Sequence, residues 1–163
     1  MAPMIVKKLP SLDRINELVE YDPNTGLFKS KPGVRIRGDY LKKGGYRYIR
    51  IDCEEYTAAR IAWLIVYGRE PQPFIDHINR DISDNRISNL REATKSQNGA
   101  NSRGRTMKAQ PKGVTSVDGK WQVQIRCHGR SYYLGRFSTA EEGNAVYKAK
   151  AEELFGEYAR AAG

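Results

Sequence analysis

Apolar residues recur at helical spacing first between Ser11 and Glu20, where Leu12, Ile15, Leu18 and Val19 fall on one face behind a Ser11 cap. Asp22-Pro-Asn-Thr-Gly26 is a turn, and Leu27-Phe28 starts a strand after it. Gly44-Gly45 breaks the chain before Tyr46–Ile51, a strand with Arg47 and Arg50 set between its Tyr and Ile residues. Thr57 to Tyr67 is helical and stops at Gly68, with Pro71 and Pro73 beyond. Phe74–Ile78 is a short strand, 79–88 a polar loop rich in Asn and Asp, and Asn89–Ala93 the returning strand. Thr94-Lys-Ser-Gln97 is a capping box that opens a further helix, and 101–110 reads as a basic linker without apolar periodicity.

Beyond Gly113 the period shortens to two. Trp121, Val123 and Ile125 point one way, and Gln122, Gln124 and Arg126 the other. Cys127–Arg130 is a turn and Tyr132–Phe137 the returning strand. Ser138–Glu141 is a second capping box, opening a helix that runs to Leu154 or Phe155 with Gly156 as its stop. Residues 111–158 therefore predict two or three antiparallel strands with one helix on their apolar face, and the chain as a whole predicts an α+β fold. No internal repeat or low-complexity tract interrupts it.

Composition narrows the function classes. The 163 residues are 39% hydrophobic, and the mean hydropathy is −0.69. The longest apolar run, Ile61–Tyr67, is far short of the ~20 residues a membrane span needs. MAPMIVKKLP does not read as a secretory signal. Cys53 and Cys127 have no neighbouring cysteine, which excludes a zinc module of the Cys-rich kind and a disulfide scaffold, and suits a cytoplasm. Only two histidines are present, so no three-imidazole site comes from one chain. The formal charge is +9. It concentrates in residues 101–137, with eight basic residues against Asp118 alone, interleaved with Trp121, Tyr132, Tyr133 and Phe137. That stripe is the footprint of a polyanion partner.

The candidate chemistry lies around Asp76-His77 at a strand end. Asn89 follows twelve residues after His77, and Asn98 twenty-one after it. A strand–loop–strand–helix unit is expected to bring Asp76 beside Asn98, and both offer oxygen donors that suit Mg²⁺ or Mn²⁺ better than zinc. His77 points to the other side of the strand, and imidazole titrates near neutral pH, so it is the candidate general base. Asn89 is the candidate group that fixes the imidazole or its loop. A calcium loop at 79–90 is excluded by Asp84 where glycine is needed and Leu90 where a bidentate glutamate is needed.

The stretch FIDHINRDISDNRISNLREATKSQN resembles the HNH motif of phage and intron-encoded homing endonucleases, in the subgroup whose last histidine is asparagine. The likeness extends over roughly residues 40–101 and includes Asp84-Asn85-Arg86, Asn89-Leu90-Arg91, the GYRYIRI strand and the RIAWLIVYG helix. It implies a ββα-metal module in which His77 is the base, Asn89 the middle asparagine, and Asp76 with Asn98 the ligands of one metal. Ala59 departs from the group, which often has a histidine before that helix's arginine.

Residues 112–156 resemble the plant ethylene-response-factor DNA-binding domain of the APETALA type, through Gly113-Val114, Gly119-Lys120-Trp121, Ile125-Arg126, Leu134-Gly135, Phe137, Thr139-Ala140-Glu141, Ala145 and Tyr147. The resemblance implies a three-stranded sheet laid in the DNA major groove. Its outward residues would be Thr115, Lys120, Gln122, Gln124, Arg126, Tyr133 and Arg136, with Lys112 and Arg130 adding basic contacts. Gln124 stands where a glutamate is usual.

The expected protein is thus a homing-type endonuclease using one Mg²⁺ or Mn²⁺. Residues 1–100 form the catalytic region, 101–110 the linker and 111–160 the DNA-binding domain. Its expected partner is double-stranded DNA, with no membrane, and it would act as a monomer or a homodimer. A non-catalytic DNA-binding regulator built on the same modules is the leading alternative, and RNA binding by the aromatic, basic sheet is the third.

Overall fold

The computed structural model describes residues 7–34, 39–101 and 111–159. Nine of the ten positions expected as linker, 102–110, lie outside the described residues. The chain divides into two compact units, Met1–Glu92 and Ala93–Gly163. Among the described residues no helix is long and apolar enough to cross a membrane.

The first unit opens with α1 (Leu12–Leu18), whose N-terminus is capped by the Ser11 side chain accepting from the Arg14 amide. The helix is shorter than its periodicity suggests. Val19 leaves it and begins β1 (Val19–Asp22), which pairs antiparallel with β2 (Leu27–Ser30), Val19 facing Ser30 and Asp22 facing Leu27. A β-branched residue fits either pattern, and here the cross-strand pairing decides. Next come β3 (Tyr40–Leu41), β4 (Arg47–Ile51) and β5 (Glu54–Thr57), a three-stranded antiparallel sheet in the order β3-β4-β5. The sequence pattern hides β5, because Glu54 and Glu55 favour strands poorly. What creates it is the turn at Asp52 and Cys53, both at positive φ (49° and 66°), which folds β5 back on β4 as a tight hairpin.

α2 (Ala58–Tyr67) follows directly and ends where Gly68 adopts φ 68° and donates its N–H to the Leu64 carbonyl. Its small Ala58, Ala59 and Ala62 let the helix approach the sheet closely, while Ile61, Trp63 and Leu64 fill the space. Together with Ile15, Val19, Phe28, Ile49, Ile51 and Leu90 they form one core. β6 (Phe74–His77) and β7 (Leu90–Ala93) then pair as a two-stranded sheet, joined by the polar loop and a 3₁₀ turn at Ile87–Asn89.

The second unit holds α3 (Lys95–Asn101), β8 (Val114–Val117), β9 (Lys120–Cys127), β10 (Arg130–Phe137) and α4 (Ala140–Phe155). The strands make an antiparallel sheet in the order β10-β9-β8, with turns at Asp118-Gly119 and His128-Gly129 in the left-handed conformation that tight hairpins require. α4 lies on one face. Ile125, Cys127, Ala151 and Phe155 share a core with Ala100 of α3. Gly143 of α4 sits where a Cβ would stand 2.8 Å from a Val123 methyl, so its bareness is what lets the helix seat on the sheet. The cap of α4 falls one residue later than Ser138–Glu141 suggests: Thr139 accepts from the Glu142 amide, and Glu142 accepts in turn from the Ser138 amide. The architecture is α+β with small antiparallel sheets, as the sequence pattern predicts.

Candidate active site

The end of β6 carries two buried polar side chains in succession, Asp76 at 4% and His77 at 6% exposure. As strand neighbours they find different partners. Asp76 turns to β7, where Arg91 donates from Nε and Nη2 to Oδ2, each at 2.9 Å. His77 brings Nε2 to 3.0 Å from Oδ1 of Asn85, and the Tyr46 ring stands edge-on at 6.5 Å between centroids. Burial of a carboxylate and an imidazole side by side is costly unless each is paired, and here each is.

The loop between the strands is held by its own Asn and Asp side chains. Asn89 accepts from the Asn79 amide at 2.9 Å through Oδ1, and its Nδ2 donates to the Asp84 carbonyl at 2.8 Å. Its carbonyl takes the Ile78 amide at 2.9 Å. Asn89 therefore clasps both limbs of the loop and acts on the loop, while Asn85 meets the imidazole. Asn79 donates to Asp84 and receives from the Asp81 amide, while Ser83 donates twice to Asp81. The Arg86 guanidinium beside Asp84 holds that carboxyl down at about 2. Hydrogen bonds from Ser83 likewise lower Asp81.

Asn98 lies in the first turn of α3, in the second unit. The capping box that starts this helix is complete: the Gln97 amide donates to Thr94 Oγ1 at 3.2 Å, and the Thr94 amide to Gln97 Oε1 at 2.8 Å. Among the described residues, no three His, Cys, Asp or Glu side chains gather as a metal cluster would. The expected donor set is of another kind, one carboxylate and one amide.

In the C-terminal sheet the pairing register aligns Thr115, Gln122 and Arg136 across three strands, with Gln124 opposite Tyr133. Tyr133 and Arg136 differ in parity, yet both stand on this face because the register shifts between Tyr133 and Gly135. Thr115, Lys120, Gln124, Arg126, Tyr133 and Arg136 are exposed and Gln122 half-buried. Two expected members are elsewhere. Arg130, although exposed, pairs with the buried Cys127 and so stands in the register of the opposite side of the sheet. Lys112 donates from Nζ to the carbonyls of Gly99 and Ala100, closing the end of α3 instead of extending the basic face.

Asn85, Arg91 and Tyr21, whose hydroxyl donates to the Asn85 carbonyl at 2.7 Å, stand at the site without a sequence signal that marks them as part of it. Asn85 and Arg91 belong to the quoted DNR and NLR triplets, but spacing does not say which asparagine of a polar loop turns inward.

A two-stranded sheet that ends in a buried Asp-His pair, bridged by an Asn-clasped loop and followed by a capped helix, is the layout of an HNH nuclease module. Residues 56–100, from Tyr56 in β5 to Ala100 in α3, match the family described as HNH endonuclease. The chain is also similar to a protein of Acanthamoeba polyphaga mimivirus named as an uncharacterized HNH endonuclease, at 32% identity over 123 residues. The similarity covers 74% of this chain and 64% of that relative's length.

Proposed function

We propose that the protein is a homing-type DNA endonuclease that hydrolyses phosphodiester bonds with one divalent cation. The observation that carries this reading is His77: a buried imidazole at a strand end, pinned through Nε2, directly after a buried carboxylate. His77 takes the proton of the attacking water. Asn89 keeps the loop closed behind it. The donor chemistry fits a hard cation, since Asp76 offers a carboxylate from a rigid buried position and Asn98 an amide oxygen. When bound, the cation would stabilise charge on the phosphate and on the leaving oxygen. Arg91 fixes the orientation of the Asp76 carboxylate through Oδ2. Products are 5′-phosphate and 3′-hydroxyl ends. One such site cuts one strand, so a monomer nicks and a double-strand break takes a dimer or a second binding event.

The face bearing Thr115, Lys120, Gln122, Gln124, Arg126, Tyr133 and Arg136 supports duplex binding in the manner of the ethylene-response-factor sheet. Its guanidinium and carboxamide groups suit guanine and adenine edges. Supercoiled plasmid should be nicked or linearised with Mg²⁺ or Mn²⁺ and left intact with chelator. His77→Ala should abolish cleavage and keep binding; cleavage retained in that variant removes the base assignment.

The Asp76–Arg91 pair favours a second reading, because an acid already neutralised by a buried guanidinium has less need of a cation. On it the protein is a DNA-binding regulator with no hydrolytic step. Binding to duplex DNA without cleavage under any divalent cation would establish that reading.

A further inference from the structure

The nuclease reading leaves open which nitrogen of His77 does the work and what holds the ring. Asn85 answers both. It is 2% exposed, among the most completely buried side chains of the chain, and its Oδ1 is 3.0 Å from His77 Nε2. Its backbone is anchored by an element that lies outside the matched 56–100 segment. The Tyr21 hydroxyl on β1 donates to the Asn85 carbonyl at 2.7 Å. The Ile87 amide donates to the Pro23 carbonyl at 3.2 Å. Gly26, at φ 73°, lies so close that a Cβ there would stand 2.4 Å from the Arg86 nitrogen and 2.5 Å from the Asn85 carbonyl carbon. The β1–β2 hairpin is thus pressed against the backbone that carries Asn85.

We propose that Asn85, braced by the β1–β2 hairpin, is the positioning residue of His77, holding Nε2–H so that Nδ1 is the nitrogen that accepts the proton of water. This rests on the nuclease reading for the purpose of the proton transfer, though not for the geometry. An amide oxygen only accepts, and a neutral imidazole carries one N–H, so a bond to Oδ1 requires the proton on Nε2 and leaves the lone pair on Nδ1. The opposite amide orientation would set Nδ2 against Nε2 and move the imidazole proton to Nδ1, leaving that nitrogen without a lone pair for water. In this orientation Asn85 Nδ2 is buried, with no hydrogen-bond partner among the described residues.

The chain has two histidines. His128→Asn leaves His77 alone, and asparagine tolerates the left-handed φ of 46° at that turn. The test is ¹⁵N NMR of the imidazole in the full-length His128→Asn protein, without metal, alongside cleavage kinetics. The expected spectrum shows the proton on Nε2 and an unprotonated Nδ1. Asn85→Ala should mix the two tautomers and lower the rate at saturating DNA by about 10- to 100-fold, with half-saturation unchanged. Asn85→Asp restores an acceptor and should recover the Nε2–H form. Tyr21→Phe should give a smaller loss of the same kind. A proton on Nδ1 in the parent overturns the proposal, as does an unaltered tautomer in folded Asn85→Ala; if Asn85→Ala does not fold, the parent spectrum decides. An Nε2–H imidazole in a chain that cuts no DNA defeats the nuclease reading and leaves the positioning intact. Cleavage by a chain protonated on Nδ1 does the reverse.

Discussion

Arg91 on β7 holds Asp76 on β6 through two guanidinium nitrogens, Nε and Nη2, both 2.9 Å from the same carboxylate oxygen. The pair crosses the two-stranded sheet and is nearly enclosed, with side-chain exposures of 13% and 4%. Removing one partner of such a pair strands a charge in a poorly solvated place.

Arg91→Ala should therefore lose about 3 kcal/mol of stability in urea unfolding. If Asp76 is a cation ligand, millimolar Mg²⁺ should return part of that loss, and should fail to do so when Asp76→Asn is added. An Arg91→Ala protein indifferent to Mg²⁺ would count against Asp76 as a ligand.

Gly26→Ala combines a positive φ with backbone atoms closer than any real Cβ contact. The expected loss is about 2–4 kcal/mol, since neither the Asn85 nor the Arg86 backbone is a flexible tip that can swing aside. Gly33, at φ 79° but with no atom of the described residues within 4 Å of its Cβ position, is the control. Gly33→Ala should cost only the conformational strain, about 1 kcal/mol, and the two thermal midpoints should separate accordingly.

Acid should act on the loop through Asp84. Its carboxyl is held at about 2 by Arg86, against an ordinary value of 3.8. A depressed folded-state value contributes stability that is complete above about pH 4 and is lost as pH falls through about 2. Asp84→Asn should flatten the pH dependence of stability across that window, by an amount on the order of 1–2 kcal/mol. An unchanged slope between pH 4 and 2 would show that Asp84 is not the group responsible.

On the sheet, Arg126→Ala and Arg136→Ala should each weaken duplex binding and reduce the slope of log K against log salt by about one. Arg130→Ala, whose residue lies in the register of the opposite side of the sheet, should change both by less. Equal effects at all three positions would mean that charge alone, and not the outward face, sets the interaction.

The elements most legible in the sequence are those with local causes. The α3 capping box at Thr94 and Gln97, the Gly68 stop of α2 and the alternation of β9 all follow from hydrogen bonds or periodicities within a few residues. Features set by pairing were harder. β5 exists because β4 offers it an edge across a left-handed turn, and Val19 is a strand residue because Ser30 lies opposite. The bulge that brings Tyr133 and Arg136 to one face has the same origin.

The sequence by itself determined the small α+β class, the basic sheet, and an Asp-His pair at a strand end with asparagines at HNH spacing. Tertiary structure alone decided which asparagine meets the imidazole. Asn79, Asn85 and Asn89 are chemically identical, and each can bond locally or across the loop. Asn85 is the one turned inward, where the hairpin carrying Tyr21 and Gly26 presses on its backbone. That contact joins residues some sixty positions apart, and no local pattern encodes it.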